Sequence, residues 1–208
     1  IARLPGTTTN LIVIAGHYDT KSGISPRFVG ANDAGSSTGL LLALAETLKR
    51  DTVSGPSIML AFLDGEECRV KYDPRDGLHG SRRLAAKLVA DNAINVQAVI
   101  VVDMIGDKNL TVTLPRNVSA RLMQLALKAA HEEGAHSLFM ISPGGILDDH
   151  VPFLEKGIPA IDLIDFQFGS APGLNDYWHT EEDTMDKLSP ESLETVGRVV
   201  IRMINALL

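Results

Sequence analysis

Between residues 10 and 164 the chain alternates short apolar runs with stretches long enough for a helix, and this alternation constrains the fold more than any other feature. Asn10-Leu11-Ile12-Val13-Ile14-Ala15 is β-prone and stops at Gly16-His17-Tyr18-Asp19. Ser57 to Leu63 lies between Gly-Pro and Asp-Gly and reads as a strand buried on both faces. Val96 to Val102 and Pro159 to Ile164 repeat that pattern, and Leu110–Leu114 and Leu138–Ile141 are shorter candidates. Helical spacing fills the intervals. Ser36 or Ser37 is expected to cap a helix running to about Arg50, with Leu40, Leu41, Leu44, Ala45 and Leu48 inward. Further helices are expected over Gly80–Val89 and Val118–Glu133, and in a short turn from Asp148-Asp149-His150 to Gly157. Ser189-Pro190-Glu191 opens the last, with Pro at the first helical position and an acid in the first turn. Strands feeding helices in this way predict an α/β chain: a three-layer α/β/α sandwich around a mixed, mostly parallel sheet.

With 208 residues and no internal repeat or linker, one domain over 1–208 is expected. The 19 basic residues are outnumbered by 26 acidic ones and form no block, which argues against a nucleic-acid partner. No apolar run reaches the length of a membrane span. Cys68 stands alone, so no internal disulfide forms, and a small apolar filler role is expected of it. The chain starts at Ile1 without an initiator Met or a signal peptide, as a mature or trimmed product would.

The chemistry is written at the strand ends. His17 and Asp19 follow the first strand, Asp33 the loop after it, Glu66 and Glu67 the second, and Asp103 the third, with His179 later. Open α/β sheets bind ligands outside the carboxyl ends of their strands. Mixed imidazole and carboxylate donors suit zinc, and a carboxylate between two sites can bridge a metal pair. Asp19, two residues after His17, is expected to orient its ring. Of the adjacent glutamates, alternation sends one to the metal and leaves the other as a general base. The Gly-rich loop Gly30–Gly39 lacks the Lys of a phosphate-binding loop, and Ser36, Ser37 and Ser81 lack a nucleophile elbow. His79, His131 and His136 have no partner motif and are expected at the surface, whereas His150 follows two acids that face the site.

The ordered series GHYDTK, GANDAG, LDGEE, VVDMIG and YWHTEEDT resembles the zinc-dependent exopeptidases of the bacterial leucyl aminopeptidase type, whose superfamily also holds the glutaminyl-peptide cyclotransferases. The resemblance implies one metal site on His17, Asp33 and Asp103 and another on Asp33, Glu67 and His179, for one or two zinc ions. It implies Glu66 as the acid/base and Asp19 as the orienter of His17. The stretches LDGEECRVKYDPRDGLHGSRRLA and DDHVPFLEKGIPAIDLI are similar to the cyclase branch, as are Lys21 and the Trp178 preceding His179. On that resemblance Asp148 and Asp103 assist catalysis, and Trp178, Lys21 and Asp149 line the substrate site. GANDAGSSTG is closer to the general peptidase pattern, and Asp162 stands where animal cyclases carry a His. The segment that precedes the first strand in family members is absent or only begun at Ile1.

Two enzymatic expectations follow. The first is cyclisation of an N-terminal glutamine to pyroglutamate, and the alternative is a dizinc aminopeptidase. Peptide or protein N-termini are the expected substrates, and an extracytoplasmic location is expected from the resemblance. A non-catalytic binding module of the same fold would have lost ligands or the catalytic Glu, and none is lost here.

Overall fold

The computed structural model describes residues 1–48 and 54–208. Its strands are β1 (Ala2–Leu4), β2 (Asn10–His17), β3 (Ser57–Leu63), β4 (Asn95–Asp103), β5 (Val112–Leu114), β6 (Phe139–Ile141) and β7 (Ala160–Ile164). They form one seven-stranded sheet in the order β1-β3-β2-β4-β7-β5-β6. The central pairs β3–β2, β2–β4 and β4–β7 are parallel, as are β5 and β6. Within the sheet of the described residues, β1 meets β3 and β5 meets β7 antiparallel.

The helices are α1 (Gly35–Thr47), α2 (His79–Ala90), α3 (Ala120–Glu132), α4 (His150–Glu155) and α5 (Pro190–Leu207). Successive side chains of a strand face opposite ways, so each central strand supplies two cores. Ile12, Ile14, Ile58, Leu60, Ile100 and Val102 pack under α1, α3 and α5. Leu11, Val13, Met59, Ala61, Val99 and Val101 meet Leu84 and Leu88 of α2 and Phe153 of α4 on the other face. The sheet is thus covered by helices on both sides, as the continuous apolar runs required.

One expectation needs correcting, and one strand was not expected. The Ala2–Leu4 edge strand carries no recognisable periodicity over so short a span. Ser36 and Ser37 do not cap α1: the helix begins at Gly35, and both hydroxyls are buried inside its first turn. Ser36 Oγ donates to Asn32 O and accepts from the Ile105 amide, while Ser37 Oγ donates to the carbonyls of Ala34 and His17. These serines lock the start of α1 to the ends of β2 and β4. The expected end of that helix near Arg50 lies outside the described residues. Ser189 does cap α5, accepting from the Glu191 amide at 3.2 Å with Pro190 at the first helical position.

Candidate metal centre

Parallel β2, β3 and β4 end side by side, and the residues just past their ends converge. His17 closes β2 and Asp103 closes β4. After β3 the chain turns at Gly65, whose φ of +69° is left-handed and where a Cβ would lie 3.1 Å from the His79 ring. That turn delivers Glu66 and Glu67 to the same crevice, both buried. Asp33 comes from the loop before α1. Its position is fixed by Asp183, whose carboxylate accepts from the amides of Asn32 at 2.7 Å and Asp33 at 3.1 Å. His179 arrives from the long loop after β7 with φ of +56°, and Met104, next to Asp103, has φ of +48°. Left-handed backbone at two non-glycine residues costs free energy and is concentrated where the geometry has a purpose.

The distances define two groups with one member in common. His17 Nε2 lies 3.1 Å from Asp33 Oδ1 and 3.2 Å from Asp103 Oδ1. His179 Nε2 lies 2.8 Å from Glu67 Oε1 and 3.2 Å from Asp33 Oδ2. Each ring nitrogen therefore faces two carboxylates, and Asp33 turns one oxygen to each group. In both groups the donor atoms lie within 4.8 Å of one another.

The donor set fits a metal ion. His17 Nδ1 is 3.0 Å from the backbone carbonyl of Asp19, which only accepts, so Nδ1 carries the proton. In the neutral ring Nε2 then presents a lone pair towards two carboxylates, and acceptors converging on acceptors require a cation between them. Proton affinities show the same demand. Burial opposes charge on His17, but the charge of Asp103 and the surrounding carboxylate contacts raise it well above an ordinary imidazole. Burial also opposes charge on His179, which Asp33 and Glu67 nevertheless push up to about 9. Asp33 is lowered although burial alone would raise it, because both imidazoles bind it. Imidazole with carboxylate oxygen is a zinc-type donor set.

Asp19 orients His17 differently from expectation. The strand ends at His17, so its alternation does not extend to Asp19. Its backbone carbonyl holds Nδ1, and its carboxylate, 3.7 Å from that nitrogen, instead accepts from the amides of Glu66 at 3.2 Å and Glu67 at 3.1 Å. Asp19 thus holds the His17 ring and the Glu66-Glu67 backbone in one register.

A narrow cavity of about 30 Å³ adjoins the donors. Glu66, Asp148 and Asp103 line it, with Tyr72, Phe166 and Trp178 among its walls. The Trp178 ring stacks on His179 with centroids 4.0 Å apart, and Phe166 tilts against Trp178 at 5.3 Å. Burial first, then the charge of Asp148, pushes Glu66 up to about 10. Burial likewise raises Asp103 to about 7 against the pull of His17. Tyr72 Oη donates to Glu66 Oε1 at 2.9 Å and orients that carboxyl. Tyr72 and Asp183 had no role in the sequence reading. An aromatic in the polar loop just after the glutamate pair was the available signal for Tyr72.

Two residues expected at the substrate lie elsewhere. Lys21 sits behind Glu67: its ammonium donates to Cys68 O at 2.6 Å and Sγ at 3.3 Å and pairs with Glu67 Oε2 at 3.2 Å. That engagement keeps it from the cavity. Asp149 is fully buried at the start of α4 and does not line the cavity either. Cys68 is buried, while His79, His131 and His136 are exposed.

Residues 1–204 match the family model described as peptidase family M28. A glutaminyl-peptide cyclotransferase-like protein of Bos taurus is 31% identical over 223 residues, covering 94% of this chain and 56% of that protein. A glutaminyl-peptide cyclotransferase of the snake Boiga irregularis is 28% identical, covering 91% of this chain and 60% of its own length. The chain thus spans little more than half of these relatives. Among solved structures, a glutaminyl cyclase from an Acidobacteriales bacterium superposes with a TM-score of 0.90 at 37% identity, over 99% of this chain and 71% of that one. A Zn-dependent exopeptidase from Parabacteroides distasonis gives 0.80 at 26% identity, over 95% and 74%.

Proposed function

The chain belongs to peptidase family M28, and from that premise we propose that it is a zinc-dependent glutaminyl-peptide cyclotransferase. It converts the N-terminal glutamine of a peptide to pyroglutamate and releases ammonia. The observation that carries this reading is the placement of Glu66 and Asp148 around one narrow cavity with the Asp33–Glu67–His179 donors. Such a cavity takes the end of a single side chain.

Asp33, Glu67 and His179 would hold zinc, and His17, Asp33 and Asp103 form a second position complete in donors. Zinc, when bound, supplies polarisation of the γ-carboxamide carbonyl. Glu66 takes a proton from the peptide's α-amine as the amine nitrogen bonds to the carboxamide carbon. Glu66 then returns that proton as the bond to the amide nitrogen breaks and ammonia departs. Tethering the nucleophile to its electrophile makes ring closure unimolecular, so no external water takes part. Asp148 accepts from the carboxamide NH₂, Asp103 assists in holding the reacting group, and Trp178 with Phe166 walls the pocket. Lys21 steadies Glu67 from behind.

Relatives named as cyclases support this reading, as does the acid at position 148 on the cavity wall. The aminopeptidase alternative is favoured by one feature, the completeness of both donor groups. In that reaction Glu66 would activate water against the first peptide bond. We assign peptide and protein N-termini as substrates and an extracytoplasmic location. Among the described residues no helix is long and apolar enough to cross a membrane.

The test is mass spectrometry of two peptides incubated with the zinc-loaded chain, one beginning with Gln and one with Leu. Loss of one ammonia from the Gln peptide alone is expected. Removal of a whole N-terminal residue from either peptide would replace the cyclase with the aminopeptidase.

A further inference from the structure

The wall of the reaction cavity that carries Asp148 is held from outside the cavity, by a continuation of the sheet edge. β5 and β6 pair in parallel, with Leu114 opposite Ile141 at their ends. The contact goes on past both strands. The Ser142 amide donates to Leu114 O at 2.9 Å, and the Arg116 amide donates to Gly144 O at 2.9 Å. The β5 chain then turns into α3, and its Ser119 amide donates instead to Ala160 O of β7. At that point the side chain of Asn117 takes over: Nδ2 donates to Ile146 O at 2.7 Å, and Oδ1 accepts from the Ile146 amide at 2.9 Å. A carboxamide has the donor and the acceptor of a peptide group, so it extends a ladder that the main chain has left.

Gly145 makes room for this contact. A Cβ there would lie 2.7 Å from Asn117 Oδ1 and 2.9 Å from its Cγ, closer than such atoms pack. Any side chain at 145 would therefore push the carboxamide off Ile146. The fit is particular to this glycine, since a Cβ at Gly144 would meet nothing within 4 Å.

What the segment carries gives the contact its consequence. Ile146, Leu147 and Asp148 all line the cavity. Gly145 to Leu147 belong to no helix or strand, and among the described residues their only hydrogen bonds are the two to Asn117. Without them the segment would have to be ordered as substrate binds, at a cost in conformational entropy.

We propose that Asn117 is a positioning residue for the substrate site: its carboxamide, seated against Gly145, sets the Ile146–Asp148 wall before the peptide arrives. This rests on the reading of the cavity as the glutamine site. Asn117 does not line the cavity and acts through the segment alone. An ordering cost incurred on binding weighs on the ground state and the transition state alike, so its signature is a higher KM at nearly constant kcat. Simple loss of folded protein does the reverse, lowering the apparent kcat and leaving KM alone.

Initial rates of the zinc-loaded chain on the Gln peptide separate the two. Asn117→Ala should raise KM about tenfold, within what two hydrogen bonds contribute, with kcat changed less than about twofold and zinc content unchanged. Gly145→Ala should raise KM similarly. Added to Asn117→Ala it should raise KM no further, because the new methyl group then has no carboxamide to displace. An unchanged KM in Asn117→Ala, or an equal effect of Gly145→Ala in both backgrounds, would overturn the proposal. Amide exchange at Ile146 reads the contact without any reaction: protection in the unaltered chain, lost in Asn117→Ala, is expected. An unprotected Ile146 amide in the unaltered chain would also overturn it. Failure of the unaltered chain to release ammonia would overturn the glutamine reading and the proposal with it, and is told apart from failure of the contact by that exchange.

Discussion

The open centre and the buried cluster of Asp148, His150 and Asp162 behind it are built from the same side chains, carboxylates and imidazoles, yet the protein treats them oppositely. At the open centre three of the four ring nitrogens have an assigned neighbour: the Asp19 carbonyl for His17 Nδ1 and carboxylates for both Nε2 atoms. The backbone amides of Glu66, Glu67 and Asp33 are held in turn by the carboxylates of Asp19 and Asp183, and the Lys21 ammonium pairs with the Glu67 carboxylate. In the buried cluster the Asp149 amide donates to Asp148, while both ring nitrogens of His150 and both oxygens of Asp162 lack a hydrogen-bond partner. Elaborate outer contacts accompany a place where ligands must exchange and protons must move, because geometry has to persist through the reaction.

The contrast can be broken at the residue both metal groups share. Asp33→Ala should lose zinc from both positions and lower turnover by at least about 10³-fold, the loss of roughly 4 kcal/mol of transition-state stabilisation. Elemental analysis and initial rates on the Gln peptide check it. Retained zinc with retained turnover would remove Asp33 from the bridging role. The outer support is probed by Lys21→Met, which leaves every ligand in place. It should weaken zinc binding by about tenfold, the lower end of what such contacts contribute, in a competition titration with a chelator. An unchanged affinity would make the Lys21–Glu67 pair incidental. The smallest effect is expected at the wall. Trp178→Ala removes the ring stacked on His179 and should raise KM several-fold, about 1 kcal/mol, with kcat nearly preserved. A fall in kcat with KM constant would instead place Trp178 in the transition state.

Much of this contrast was legible beforehand, and the limits are physical. Apolar runs of strand length fix where a parallel sheet must lie, and the polar residue ending each run then has one place to go, so the donors of the open centre were readable. Hydrogen bonds past the strand ends were not. Alternation ceases at His17, and the backbone of Asp19, not its carboxylate, came to hold the ring. The serines of α1 looked like caps but serve as cross-ties, because Gly35 had already begun the helix. Lys21 illustrates the limit of analogy between charge and substrate, since its ammonium pairs with the carboxylate of Glu67 in the same protein. Asp162 was the most informative residue left unread. One carboxylate within Ala160-Ile161-Asp162-Leu163-Ile164, all buried, signals that something inside must answer it.

The central claim is that Glu66 moves the protons while its neighbour Glu67 holds the metal. The most direct measurement follows the Glu66→Gln chain with the Gln peptide, scoring cyclisation and zinc content in one preparation. Turnover reduced by about 10²–10⁴-fold, as for loss of a general acid/base, with zinc content unchanged, is the predicted result. Cyclisation at the rate of the unaltered chain would contradict the account.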